Sequence, residues 1–312
     1  MSESISRRQL LGATVGLGAE LAAGRARADA LKEKPAMLTR PIPRTQEALP
    51  VIGLGTWQTF DVGAGAEERA PLQQVLADFF ATGARVIESS PMYGRAEAVV
   101  GDLLKALKPR PDVKPFLATK VWTSGKQEGE AQMRASLQKM GTEKMDLMQI
   151  HNLLDWRTHL PTLREWKAQG RIRYIGITHY QLSAFGEMER ILETEKDVDF
   201  VQLPYSVSVR EAEKRLLPAA AAHGAAVLVM RPFEAGGLLR SLGNKPLPKV
   251  ATELGCTGWA QLLLKFILGH PAVTCPIPAT SNPKHLADNL KAGFGRLPTE
   301  AERKQIVQAA GL

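Results

Sequence analysis

The chain has 312 residues, of which 44% are apolar and 23% charged. This is the composition of a soluble globular protein with a sizeable core. It excludes disorder, collagen and coiled coil, and leaves open two small domains or one large α/β barrel. The formal net charge of +8 owes part of its excess to Arg7, Arg8, Arg25 and Arg27 near the start. No dense Lys/Arg run interleaved with aromatics follows, so no nucleic-acid partner is expected.

The first segment, SRRQLLGATVGLGAELAAGRARADA, sets paired Arg7 and Arg8 before an apolar Gly/Ala-rich stretch and ends in small residues at Ala26, Ala28 and Ala30. Charge, apolar run and A-x-A site in that order are the layout of a signal peptide, and the Arg pair resembles a twin-arginine export signal. The stretch is shorter than the roughly 20 apolar residues of a spanning helix, and Glu20 interrupts it, so stable membrane insertion is not expected. Residues 1–30 are therefore expected to be an export signal with a periplasmic destination. Residues 31–312 are expected to form a single domain.

Beyond residue 30, Pro35 to Leu49 reads as a hairpin or plug. Eight apolar, strand-like runs follow: VIGLGTW, ARVIESS, PFLATKV, MDLMQIH, YIGITHY, FVQLPYS, AVLVMRP and VTCPIPAT. Amphipathic stretches separate them, with stripes at Val99, Leu103 and Leu107, at Leu182, Phe185, Met188 and Leu192, and at Trp259, Leu262, Leu263 and Phe266. Eight strands apolar on both faces, each followed by a one-faced helix, predict a closed (β/α)8 barrel. GLGTW lacks the G-x-G-x-x-G turn of an open doubly wound sheet. The Gly/Pro-rich stretch after the seventh run predicts a long loop beside the mouth, and TEAERKQIVQAAGL an extra C-terminal helix. Cys256 and Cys275 have no Cys or His at zinc spacing. They read as two buried thiols, with a Cys256–Cys275 bridge in an oxidising compartment as the lesser alternative, and no metal is expected.

Barrel strands deliver their C-terminal residues to one mouth. There the sequence puts Glu88, Lys120 and His151 at three strand ends, with Tyr93 in the loop after Glu88. A carboxylate, an amine, an imidazole and a phenol together suit proton transfer to an oxygen. Lys120 is expected to lower the Tyr93 pKa, Glu88 to hold Lys120, and neutral His151 to orient a carbonyl. No side chain supplies a hydride, so a redox reading requires a nicotinamide cofactor. Two other classes fit parts of this set: a Schiff-base lyase working through Lys120, and a catalytically weak barrel that binds a nucleotide.

The segments VIESSPMYGRAE, FLATKVW and DLMQIHN, with GLGTW before and IPATSNPKHLADN after, resemble the aldo/keto reductase superfamily over residues 36–312. The resemblance implies NAD(P)H-dependent reduction of aldehydes and ketones. Tyr93 is then the proton donor, Lys120 its partner, His151 the orienting group and Glu88 the carboxylate, where the family usually has Asp. It also implies a cofactor lying across the strand ends, with Gly55, Thr56 and Trp57 after the first strand. Thr178, His179 and Gln202 would meet the nicotinamide amide, and Met230, Arg231, Pro232 and Phe233 would lie beside it. Ala279, Thr280, Asn282, Lys284 and His285 would meet the 2′-phosphate region, and Asp288 and Asn289 the adenine. NADPH is favoured over NADH. Trp57, Trp122 and Trp156 would line the site of a small-molecule carbonyl substrate, and the short loop after His151 implies a broad substrate range. A monomer or weak oligomer is implied. Export would further require cofactor loaded beforehand and an external re-reductant.

Overall fold

The computed structural model describes residues 36–107 and 114–312; the expected signal at residues 1–30 lies outside them. A short hairpin comes first, β1 (Thr39–Pro41) antiparallel to β2 (Ala48–Pro50). It places Ile42 and Leu49, both fully buried, against the inward side chains Val86, Phe116, Leu147, Tyr174, Phe200 and Leu228. The hairpin therefore stoppers the N-terminal end of the barrel as expected. Arg40 fastens it by donating to the carbonyl of His270 at 2.8 Å.

Eight parallel strands follow in sequential order: β3 (Leu54–Gly55), β4 (Val86–Glu88), β5 (Phe116–Val121), β6 (Met145–His151), β7 (Ile172–Thr178), β8 (Phe200–Pro204), β9 (Ala226–Met230) and β10 (Cys275–Pro276). The sheet closes on itself where Gly55 pairs in parallel with Ala279. The Gly53 amide donates to the Pro276 carbonyl at 3.0 Å, and the Gly55 amide to that of Pro278 at 3.3 Å. Glycine is needed at both positions by close approach: a Cβ on Gly53 would lie 2.9 Å from the Ile277 side chain, and one on Gly55 2.8 Å from the Ile277 carbonyl. The predicted (β/α)8 barrel is what the chain forms.

Period-two alternation decides what enters the interior. Ile87, Leu117, Val121, Met148, Ile150 and Ile175 face the surrounding helices. The residues between them, Val86, Phe116, Ala118, Leu147 and Tyr174, fill the lower barrel. The same inward parity carries Glu88, Lys120, Gln149, His151 and Gln202 into its upper end.

The helices are α1 (Ala66–Ala81), α2 (Ala96–Leu107), α3 (Lys126–Lys139), α4 (Trp156–Ala168), α5 (Phe185–Thr194), α6 (Leu216–His223), α7 (Gly237–Leu242), α8 (Lys249–Glu253), α9 (Trp259–Leu268), α10 (Pro283–Lys291) and α11 (Glu300–Ala310). The stripes Phe185, Met188, Leu192 and Trp259, Leu262, Leu263, Phe266 are buried. Leu182 is not: it sits in a single 3-10 turn ahead of α5 and is 39% exposed. The stretch after β9 also departs from expectation. It is not an open loop but folds into α7 and α8, because Leu238, Leu242, Val250 and Leu254 bury against the helical layer. The extra C-terminal helix is α11, opened by a reciprocal cap between Thr299 and Glu302. Its buried Arg303 donates to Tyr205 and Glu213. Cys256 and Cys275 are buried free thiols. No described helix is long and apolar enough to cross a membrane.

Candidate active site

Lys120 sits at the penultimate position of β5 and points up the barrel with no exposure. A buried ammonium demands partners for all its protons. It donates to Glu88 Oε1, to the Ser89 carbonyl at 2.9 Å and to Tyr93 Oη at 2.9 Å. Tyr93 comes within reach because the chain turns sharply after β4, its amide donating to the Ser90 carbonyl at 3.0 Å. Its hydroxyl lies 3.5 Å from Glu88 Oε1. Gln202 donates to the same carboxylate oxygen at 3.0 Å, and Gln149 donates to Gln202 at 2.8 Å.

His151 ends β6. Its Nδ1 shares a 3.0 Å hydrogen bond with Ser90 Oγ, and its ring stands nearly perpendicular to that of Tyr93 with centroids 6.0 Å apart. Nε2 has no partner among the described residues. Burial, with the nearby charge of Lys120 second, pushes the imidazole down to about 2, so it is neutral in the working range. Tyr93 departs from expectation. Burial and the Glu88 carboxylate push the phenol well above its usual value, so it is held as a phenol despite the adjacent Lys120. Lys120 itself is lowered by burial, against the opposing pull of Glu88.

Of the three tryptophans, Trp122 faces His151 with ring centroids 6.2 Å apart and is 40% exposed, and Trp57 is 43% exposed. Trp156 is placed elsewhere. It opens α4, donates its indole N–H to Glu187 on α5 at 3.2 Å and packs against both helical clusters. The Trp122 loop is gripped from three sides. Gln132 accepts from the Trp122 amide at 2.5 Å and donates to its carbonyl at 3.1 Å. His159 donates to the Thr123 carbonyl at 2.6 Å, and Asp155 accepts from the Gly125 amide at 2.8 Å.

The expected cofactor residues follow the rim of the same end. Thr56 is buried and donates to Ser89 Oγ at 2.9 Å. Thr178 is buried with no partner for its hydroxyl, and the side-chain amide oxygen of Gln149 is likewise unpaired among the described residues. His179 stacks on Tyr180, rings 5.5 Å apart, and its amide donates to the Gln202 carbonyl at 3.4 Å. Met230 ends β9, Arg231 is exposed with a φ of 55°, and Phe233 is partly buried against the helical layer, with Pro232 between them. Asn282 caps α10 by accepting from the Lys284 amide at 2.9 Å, Thr280 accepts from the Asn282 amide at 3.1 Å, and Lys284, His285 and Ala279 are exposed beside them. Asp288 accepts from Gln261, and Asn289 is buried.

Sequence reading missed Ser90, Gln132, Gln149, His159 and the Glu234 carboxylate, which accepts from Ser206 at 2.8 Å and also from Ser208. Gln149 could have been found, since it shares the inward parity of His151 two residues on. A surface groove of about 450 Å³ near Arg134, Gly141, Thr142 and Arg171 lies at the opposite end of the barrel and includes none of these groups.

A family model described as the aldo/keto reductase family matches residues 51–309. Methylglyoxal reductase YeaE of Escherichia coli K12 is 28% identical over 78% of this chain and 84% of that protein. An NADH-specific methylglyoxal reductase of the same organism is 26% identical over 67% of this chain and 71% of its own length. Among solved structures, an aldo/keto reductase from Klebsiella pneumoniae in complex with NADP and acetate superposes with a TM-score of 0.71 at 26% identity, covering 84% of this chain and 92% of that one. Another from the same organism, in complex with NADPH, gives 0.70 at 25% identity, with coverages of 88% and 95%.

Proposed function

The chain belongs to the aldo/keto reductase family, and from that premise we propose that it reduces aldehydes and ketones to alcohols with Tyr93 as proton donor. The observation that carries the assignment is the fully buried Lys120 bonded to both Glu88 and Tyr93. The mouth fits a nicotinamide cofactor, because the unpaired Thr178 hydroxyl and Gln149 side-chain Oε1 offer a donor and an acceptor to a carboxamide. When bound, the cofactor supplies a hydride to the carbonyl carbon.

The protein side of the reaction then follows from the geometry. His151, neutral and fixed through Ser90, turns its free Nε2 to the carbonyl oxygen. Tyr93 gives its proton to that oxygen as charge develops on it. The phenolate left behind is stabilised by the Lys120 ammonium, already 2.9 Å away. Glu88 keeps Lys120 charged and aimed, and its longer arm reaches Gln202 as well. A Schiff-base role for Lys120 is poorly served, since its ammonium is fully engaged and unexposed. NADPH is the preferred donor in this reading, with Lys284, His285 and the cap of α10 meeting the 2′-phosphate.

The test is loss of NADPH absorbance with a reactive aldehyde, beside Tyr93→Phe. The wild type consumes cofactor, and the variant loses about 10² to 10⁴ in rate. If neither NADPH nor NADH is consumed by the wild type, the assignment fails.

Residues 1–30 act in our reading as a twin-arginine export signal, with residues 31–312 as the mature barrel. The mature chain is then a periplasmic monomer or weak oligomer that is loaded with cofactor before export and served there by an external re-reductant. Support rests on the order of Arg7, Arg8, apolar run and small residues. Fractionation checks it: replacing both arginines with lysine retains the protein in the cytoplasm, whereas a wild type confined to the cytoplasm ends the idea.

A further inference from the structure

Buried charged side chains outside the mouth are well partnered. Asp199 meets Lys167 at 2.5 Å, Glu189 meets Arg215 at 2.5 Å, and Lys265 donates to the carbonyls of Phe294 and Arg296, both at 2.7 Å. Glu97 departs from this pattern. It is the second residue of α2, is 1% exposed, and has no part in the proton transfer described above. Its Oε1 accepts from Thr119 Oγ1 at 2.6 Å. Its Oε2 has no hydrogen-bond partner among the described residues, and the cation paired with it, Lys139 on α3, is 3.8 Å away and half exposed. Burying a carboxylate with so few partners is costly, so its place calls for a reason.

The reason lies in what the Thr119 bond joins. Thr119 adjoins Lys120 on β5. Because side chains alternate along a strand, Thr119 leaves the barrel wall toward α2 while Lys120 enters the mouth. Glu97 comes four residues after Tyr93, and the start of α2 is fastened to the Tyr93 turn by the Ala96 amide, which donates to the Tyr93 carbonyl at 3.1 Å. Two hydrogen bonds therefore tie the same two segments: Tyr93 to Lys120 at 2.9 Å inside the wall, and Thr119 to Glu97 at 2.6 Å outside it. One turn further along α2, Gly101 backs onto α3 with no room for a Cβ beside the Lys139 carbonyl, so the helix cannot slide. The carboxylate also acts through the wall. Burial lowers Lys120, and Glu88 and then Glu97 oppose that effect.

We propose that Glu97 and Thr119 are a positioning pair for the reaction, the strut they form outside the barrel fixing the reach of the Tyr93 phenol to the Lys120 ammonium inside it. This rests on the reductase assignment and adds to it two residues that act through others. Without the strut, the inner bond alone holds the Tyr93 segment, and a small shift of that segment slows proton delivery to the developing alkoxide.

The test follows NADPH loss in single turnovers of the full-length protein with propanal, in H2O and in D2O. Glu97→Met/Thr119→Val removes both polar partners together and leaves neither unpaired, so the fold is kept. Thr119→Ser keeps the hydroxyl. In the double variant the single-turnover rate falls about tenfold. Its solvent isotope effect grows, because proton delivery has become the slower event, and its NADPH affinity, read by fluorescence quenching, is unchanged. Thr119→Ser retains the wild-type rate. A double variant that reduces propanal at the wild-type rate, or one that is slower with an unaltered isotope effect, overturns the proposal while the reductase assignment stands. If the double variant does not fold, Thr119→Val alone is read by the same two outcomes. No turnover by the wild type removes both the assignment and the strut's role.

Discussion

Burial fixes the protonation states of Tyr93 and His151 beside Lys120. With Tyr93 displaced upward and His151 pushed down to about 2, neither titrates between pH 5 and 9. Neither group is therefore expected to add an inflection to carbonyl reduction over that range, which a kcat/KM profile against pH checks. The same shift bears on stability. An unfolded chain binds a proton at His151 below about 6.5 and the folded one does not, so stability is complete above that value and declines as pH falls toward 2, by up to about 1.4 kcal/mol per pH unit from this residue. Urea unfolding at pH 7 and pH 5 shows the loss, and His151→Gln reduces it. Glu88→Gln strands the Lys120 charge in the interior and lowers stability by about 3 to 5 kcal/mol, read by the same unfolding curves. Glu88, Lys120 and His151 were legible because each ends an apolar run, where an ionisable group demands explanation. Ser90 was not, since an uncharged polar residue beside such a run carries no comparable signal, and Gln149 could be reached only through its parity with His151.

At the level of elements, the grip on the Trp122 loop ties β5, α3 and α4 into one wall. His159 is fully buried on α4 and passes its one bond to the Thr123 carbonyl. His159→Ala frees that carbonyl and loosens the wall, so KM for a carbonyl substrate rises about tenfold while kcat changes less, a split that steady-state kinetics resolves. The helix pair is closely fitted at Gly129, where a Cβ would lie 2.6 Å from His159 Cε1. Gly129→Ala accordingly destabilises the protein by about 1 to 3 kcal/mol, seen as a lowered unfolding midpoint. Helical periodicity exposed the stripes of α2, α5 and α9, because one buried face is a local property. It could not show that α7 and α8 form in a Gly/Pro-rich stretch, since their Leu and Val side chains are buried by packing with other elements, α9 and α11 among them.

Eight runs at βα spacing made the barrel legible, and so did the strand-end position of its ionisable residues. What the runs did not reveal is how little of the first and last strands is ladder. β3 and β10 are two residues each, and the bonds that join them run one way, from the Gly53 and Gly55 amides to the carbonyls of Pro276 and Pro278. Proline has no amide hydrogen, so it contributes only acceptors to this seam. The seam joins the first and last strands of the sheet order, and its closure must wait until the strands between them are in place. Should it part, the two edges released are unequal. One offers the amides of Gly53 and Gly55, whereas the other cannot give a hydrogen from either proline. A second copy of the chain therefore meets a poor template for strand exchange on that side, so the motif Cys275-Pro276-Ile277-Pro278 guards a briefly opened barrel against self-association and aggregation.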